Sequence, residues 1–202
     1  FWDRVAWIYD VFANVLNRKA NRALCAAVAQ QIRPTDAVLE CACGTGLLTA
    51  VLAPRCKSLV ATDFSAKMLA QAARKCRKYG NVKFAQADIL HLGYPDAQFD
   101  LVVAANVIHL LDEPMQALRE LDRVCRSGGR LLIPTYMNRT DRGGTNGVSG
   151  VLDKAGADFK REFTLDTYRC FFADAGYTDA DYIFCDGRIP CAVAVLGKRG
   201  TV

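Results

Sequence analysis

Apolar positions along the chain follow two rhythms, and their alternation lays out the elements. From Leu16 to Gln31 they recur at helical spacing, at Leu16, Ala20, Leu24, Ala27 and Val28, and Pro34 closes that helix. The short run 37–41 reads as a buried strand, after which Leu47, Leu48, Val51 and Leu52 return to helical spacing through Ala53. "SLVATD" (58–63) is a second strand, and Ser65 caps a helix predicted over 66–79, stopped by "YGN". A third strand is expected over "VKFAQAD", ending at Asp88, and a fourth over "FDLVVAA", followed by Asn106. Pro114 suits the first turn of a helix through Val124, and "SGG" (127–129) reads as a turn into a fifth strand, 130–136. Thr164 caps a helix ending near Ala175, with Gly176 behind it, and two more strands are expected near 181–185 and 192–196.

Strands alternating with helices predict an α/β fold, doubly wound around a mostly parallel sheet. Right-handed crossovers then put the loops that follow the strands on one edge, where ligands bind. The last two strands have no helix between them and should pair as an antiparallel hairpin at an edge. Two segments fall outside the alternation. Phe1, Trp2, Trp7, Tyr9 and Phe12 make an aromatic patch in an N-terminal helical cap, residues 1–33. From 137 to 160 the pattern dissolves into Gly, Asn, Thr and charge, which reads as a long loop or variable insertion, of a kind that often serves as a functional lid or is disordered.

Length and composition narrow the class. A chain of 202 residues suits one domain, 1–202, with a sizeable core. Its most apolar run, 101–111, is far short of the roughly 20 residues that span a bilayer, so no membrane span is expected. The opening "FWDRVAWIYD" carries charge among its aromatics and does not read as a signal peptide. Nine cysteines are scattered without any C-x-x-C pair, which argues against a disulfide framework or a metal site and for a reducing, cytoplasmic setting. The net charge of +5 raises nucleic acid as a partner. The densest basic patch, Arg74, Lys75, Arg77 and Lys78, lies at a predicted helix C-terminus, where the dipole stabilises cations; no nucleic-acid partner is expected.

Chemistry concentrates in "VLECACGTG" (38–46), a strand that turns on glycines into a helix. Gly44 and Gly46 let a ligand approach backbone. Dinucleotides and S-adenosylmethionine both use such a turn. The dinucleotide pattern G-x-G-x-x-G/A meets Thr49 in its last position, and Glu40 before the turn would repel a pyrophosphate but welcome an amine.

The stretch resembles the first motif of class I S-adenosylmethionine-dependent methyltransferases, V-L-[DE]-x-[GA]-x-G-x-G, over a match running from about Val38 to Val195. Ala42 replaces the commoner first glycine, as in the quinone-biosynthesis methyltransferases, and the chain most resembles that quinone-biosynthesis and small-molecule group. The resemblance implies a seven-stranded Rossmann-like sheet with its last strand antiparallel. It also implies S-adenosyl-L-methionine as cofactor, S-adenosyl-L-homocysteine as product, and Glu40, Ala42, Cys43, Gly44, Thr45 and Gly46 around the loop. Asp63, roughly 20 residues on, would accept from the ribose hydroxyls. Phe64 and Met68 would pack the adenine face, Asp88 would accept from the adenine amino group, Ile89 would pack the base, and Asn106 would line the methionine part. Tyr9 and Asp10 match a "YD" pair that folds over the cofactor in this group.

Methyl transfer in line needs positioning above all, and an acidic acceptor needs a base as well. His109, three residues after Asn106, is the expected base, with Tyr9 and Tyr136 as further pocket residues; His91 reads as a loop surface residue. The [DN]-P-P-[FYW] motif of base methylation is absent: Asn106 is followed by Val107, Ile108 and His109. The expected acceptor is therefore a small, aromatic or partly apolar molecule, and a homodimer stays open. Two other readings remain: an NAD(P)-dependent Rossmann oxidoreductase, and a non-catalytic module that binds S-adenosylmethionine.

Overall fold

The computed structural model describes residues 17–138 and 160–198. Phe1, Trp2, Trp7, Tyr9, Asp10, Phe12 and most of the 137–160 insertion lie outside the described residues. Helix α1 (Arg18–Gln30) leads into β1 (Ala37–Cys41), α2 (Thr49–Leu52), a 3-10 turn (Ala53–Arg55), β2 (Ser58–Asp63), α3 (Ala66–Lys75) and β3 (Val82–Gln86). Then come β4 (Phe99–Ala104), a 3-10 turn (Ile108–Leu110), α4 (Pro114–Val124), β5 (Cys125–Tyr136), α5 (Leu165–Asp174), β6 (Asp181–Cys185) and β7 (Cys191–Gly197).

The strands form one seven-stranded sheet in the order β3-β2-β1-β4-β5-β7-β6. β1 pairs in parallel with β2 and β4, β2 with β3, and β4 with β5, while β7 runs antiparallel between β5 and β6. Alternation along the strands feeds two cores. Leu39, Val102 and Leu131 meet Leu118, Leu121 and Phe172 from α4 and α5. Their neighbours Val38, Leu101, Val103 and Leu132 meet Leu24, Val28 and Leu52 from α1 and α2. Burial on both faces explains why these strands read as near-continuous apolar runs. Strand order reverses between β1 and β4, which opens a crevice beyond their C-terminal ends.

Several boundaries differ from the sequence reading. β3 stops at Gln86, not Asp88, because the Asp88 carboxylate accepts from the Leu90 N–H at 2.9 Å and turns the chain. α3 stops at Lys75 rather than Tyr79, although Ser65 caps it as expected by accepting from the Met68 N–H. The helix predicted over 47–53 is the single turn of α2 with a 3-10 extension. "SGG" lies inside β5 as a bulge: the Gly128 N–H donates to Lys198 and the Lys198 N–H to Gly129, both at 3.0 Å. A Cβ on Gly129 would stand 2.6 Å from the Cys125 sulfur, so only glycine fits there.

Candidate active site

Three residues after β1 take left-handed backbone: Ala42 (φ 54), Gly44 (φ 55) and Gly46 (φ 85). The two glycines serve different ends. A Cβ on Gly46 would come within 3.1 Å of the Cα and Cβ of Ala72, so its bareness lets α3 pack against the loop. A Cβ on Gly44 meets nothing within 4 Å, so there the missing side chain leaves open space. Ala42 carries a side chain in a conformation that costs about 1–2 kcal/mol, which is why a glycine is commoner at this point of the motif.

The ends of the next strands close around that loop. The Asp63 carboxylate accepts from the Gly44 N–H at 2.8 Å through one oxygen and from the Ser65 N–H at 2.9 Å through the other. Asn106 also has left-handed backbone (φ 52), and its N–H is held by the Pro134 carbonyl at 2.7 Å. Its Oδ1 is buried and accepts no hydrogen bond from the described residues, a rare state for a buried polar atom and one that a ligand N–H would relieve.

A cavity of about 290 Å³ joins these groups at the C-terminal ends of β1 to β4. Ala42, Gly44, Asp63 and Asn106 line it, and so do Phe64, Met68, Asp88 and Ile89. Phe64 stands 72% exposed at the rim, whereas Met68 and Ile89 are buried. The sequence reading did not foresee Thr62, Ala105, Val107, Leu110 or Leu111 on the wall. The last two arrive through the 3-10 turn Ile108–Leu110, and the one signal for them was an apolar run continuing beyond Asn106. A larger concavity of about 840 Å³ lies at the opposite sheet edge, among Arg119, Gly128, Tyr177 and Lys198, and takes in none of the predicted site residues.

Other expected residues stand elsewhere. Glu40 is 1% exposed and off the cavity wall, its Oε2 accepting from the Thr49 hydroxyl at 2.6 Å. Burial pushes its carboxyl up to about 8, with the Asp63 charge adding to the rise. Glu40, expected around the loop, thus stands apart from Asp63 and Asp88, because it shares its strand face with Val38 and points beneath α2. Cys43 gives its N–H to Thr62 and turns its side chain to Ala61, Leu69 and Ala72, while Thr45 and Gly46 are buried behind the loop. His109 is likewise not on the wall. It is 3% exposed with its ring edge-on to Tyr136 at 6.1 Å, and burial pulls its pKa down to about 4. That makes it neutral at pH 7 and a weak proton acceptor, unlike a base tuned near the working pH. Tyr9 lies outside the described residues.

The donor set discriminates between ligands. Two aspartates, an unsatisfied amide and apolar plates suit vicinal hydroxyls, a flat base and an amine. No Lys or Arg lines the cavity among the described residues, so a pyrophosphate would find no counter-charge there. The cysteines are free, and Cys41, also on the wall, has its thiol pushed up to about 12 by burial. Among the described residues no cluster of His, Cys, Asp and Glu could hold a metal, and no helix is long and apolar enough to cross a membrane.

Comparison with known proteins agrees with this geometry. A family model described as a methyltransferase domain matches residues 39–133. The chain is similar to a ubiquinone/menaquinone biosynthesis C-methyltransferase of Bdellovibrio bacteriovorus, 37% identical over 101 residues, covering 48% of this chain and 43% of that one. It is also similar to a phosphatidylethanolamine N-methyltransferase of Cereibacter sphaeroides, 38% identical over 109 residues, covering 52% and 53%. The chain thus spans about half the length of the curated relatives it matches. Magnesium protoporphyrin IX methyltransferase from Synechocystis, solved with S-adenosylhomocysteine, superposes with a TM-score of 0.65 over 88% of this chain and 81% of that one. At 21% identity that likeness is one of fold. Sheet order, glycine loop and sequence match converge: residues 39–133 form a methyltransferase domain, and its fold is that of the class I S-adenosylmethionine-dependent methyltransferases.

Proposed function

We propose that the chain binds S-adenosylmethionine in the cavity beyond β1 to β4 and transfers its methyl group to a small acceptor with aromatic or apolar character. The observation that carries the reading is the meeting of Asp63, Asp88 and the unsatisfied Asn106 amide on one wall free of cations among the described residues. Asp63 would hold the ribose hydroxyls while keeping the Gly44 N–H in place. Asp88 would accept from the adenine amino group, with Phe64, Met68 and Ile89 against the base. Asn106 would accept from the amine of the methionine part. When bound, the cofactor supplies an electrophilic methyl on a sulfonium.

The chain's own contribution is then to hold the acceptor in line and exclude water, and orientation of this kind can supply about 7–11 kcal/mol of the barrier. His109 was the expected base; its depressed pKa instead suits a neutral group behind the reacting centre. Quinones and phosphatidylethanolamine, named in the relatives, are both lipids, which favours a lipid-like acceptor. An oxidoreductase reading is disfavoured by Thr49, which stands where the dinucleotide pattern has Gly or Ala. The test is incubation with methyl-labelled S-adenosylmethionine and a panel of demethylated quinones, phenols and aminolipids. Labelled product and released S-adenosylhomocysteine are expected. Cofactor binding with no product from any acceptor would point instead to a non-catalytic module.

A further inference from the structure

Charge is divided unevenly along the chain, and most of the basic part lies on one face of the sheet. From residue 17 to residue 87 the chain has twelve Lys and Arg, all exposed, against three acids, Asp36, Glu40 and Asp63, all buried. The rest of the described chain carries thirteen acids and nine bases. The basic part contains α1, α2 and α3. These helices turn Leu24, Val28, Leu52 and Leu69 inward and leave Arg22, Lys67, Arg74 and Lys75 in solvent. Asn81 donates to the carbonyls of Ala53 (2.9 Å) and Cys56 (3.1 Å), which holds the turn carrying Arg55 and Lys57 against the chain that follows α3; Lys83 pairs with Val60 and lies on the other face of the sheet. Among the twelve, only Lys19 forms an ion pair with a described residue, with Asp186.

Helix stability does not explain this distribution. The macrodipole favours Arg74 and Lys75 in the last turn of α3 but opposes Lys67 in its first turn, and it opposes Arg18 and Lys19 in the first turn of α1. Neither helix has an acid in its first turn. Unpaired cations on several elements repel one another and raise the energy of the compact state unless an anionic partner offsets them.

The geometry points to this helical layer as a docking surface for an anionic lipid bilayer. Neither cavity described above opens on its centre, and Phe64 at the cavity rim is its one exposed large apolar side chain among the described residues. Single-stranded nucleic acid is gripped by aromatic stacking platforms and duplexes by elements that enter a groove, whereas a bilayer asks only for many Lys and Arg on a broad face. The inference goes beyond methyl transfer and does not depend on the acceptor.

The test is flotation of the full chain with phosphatidylcholine vesicles and with vesicles containing about 30% phosphatidylglycerol, at low salt and at about 0.5 M salt. The protein should float with the anionic vesicles at low salt only. K67E/R74E/K75E/K78E should weaken that binding on the order of 100-fold or more, and the milder K75A/K78A roughly 25-fold. R119E/R169E, on the opposite face, should float like the wild type. Thermal melts of each variant separate lost docking from lost folding. Equal binding to both vesicle types, equal loss in the opposite-face variant, or capture by an RNA or DNA oligonucleotide without capture by anionic vesicles would overturn the inference.

Discussion

The carboxylate of Asp63 accepts a hydrogen bond from the backbone N–H of Gly44 at 2.8 Å and so fastens the end of β2 to the glycine loop that follows β1. One acid therefore shapes the loop and faces the cavity together. Loss of Asp63 should be felt in stability as well as in binding.

Asp63→Ala strands two backbone donors, on Gly44 and Ser65, that the carboxylate now satisfies. Chemical denaturation should show a loss of roughly 2–4 kcal/mol. Calorimetry should show cofactor affinity weakened by about tenfold or more, as for one lost charge-assisted contact. Asp63→Asn, with one acceptor oxygen kept, should fall between.

Gly44→Ala and Gly46→Ala should separate binding from folding. At Gly46 a methyl meets Ala72 at 3.1 Å as well as an unfavourable φ, for a cost of roughly 2–4 kcal/mol. At Gly44 the strain alone costs about 1 kcal/mol, but the methyl enters ligand space, so affinity should suffer more than stability.

Glu40 sets a pH slope. Its folded pKa, about 8, lies above the ordinary 4.5, so the folded state keeps a proton that the unfolded state releases. The contribution is complete below pH 4.5 and is lost as pH rises to about 8. Urea midpoints should fall between pH 6.5 and 8 in the wild type, and Glu40→Gln should flatten that fall.

His109 works in the opposite sense. Its folded pKa, about 4, lies below the ordinary 6.5, so its contribution is present above pH 6.5 and lost as pH falls towards 4. Its imidazole NMR shifts should not titrate above pH 5.5. If methyl transfer shows no limb assigned to His109, and His109→Gln keeps the wild-type pH profile, the base role is closed.

Most of the fold was legible because its signals are local. β1, β2, α4 and β6 fall where apolar runs and caps put them, and the unlinked last strands did pair as a hairpin. The misses came from contacts between distant segments. Nothing near Ser127 announces that Lys198 will draw "SGG" into β5. Asp63, Asp88 and Asn106 could be expected on one cavity wall because strand ends share one edge of a parallel sheet. Glu40 and His109 could not be placed, because spacing locates a residue along a strand without saying which layer closes over its side chain.

The most direct test is isothermal titration of the full chain with S-adenosylmethionine, repeated with Asp63→Ala and Asn106→Ala. A one-site isotherm in the micromolar range, weakened in both variants, is predicted. No heat at about 1 mM ligand, or binding that neither substitution alters, would contradict the assignment of this cavity.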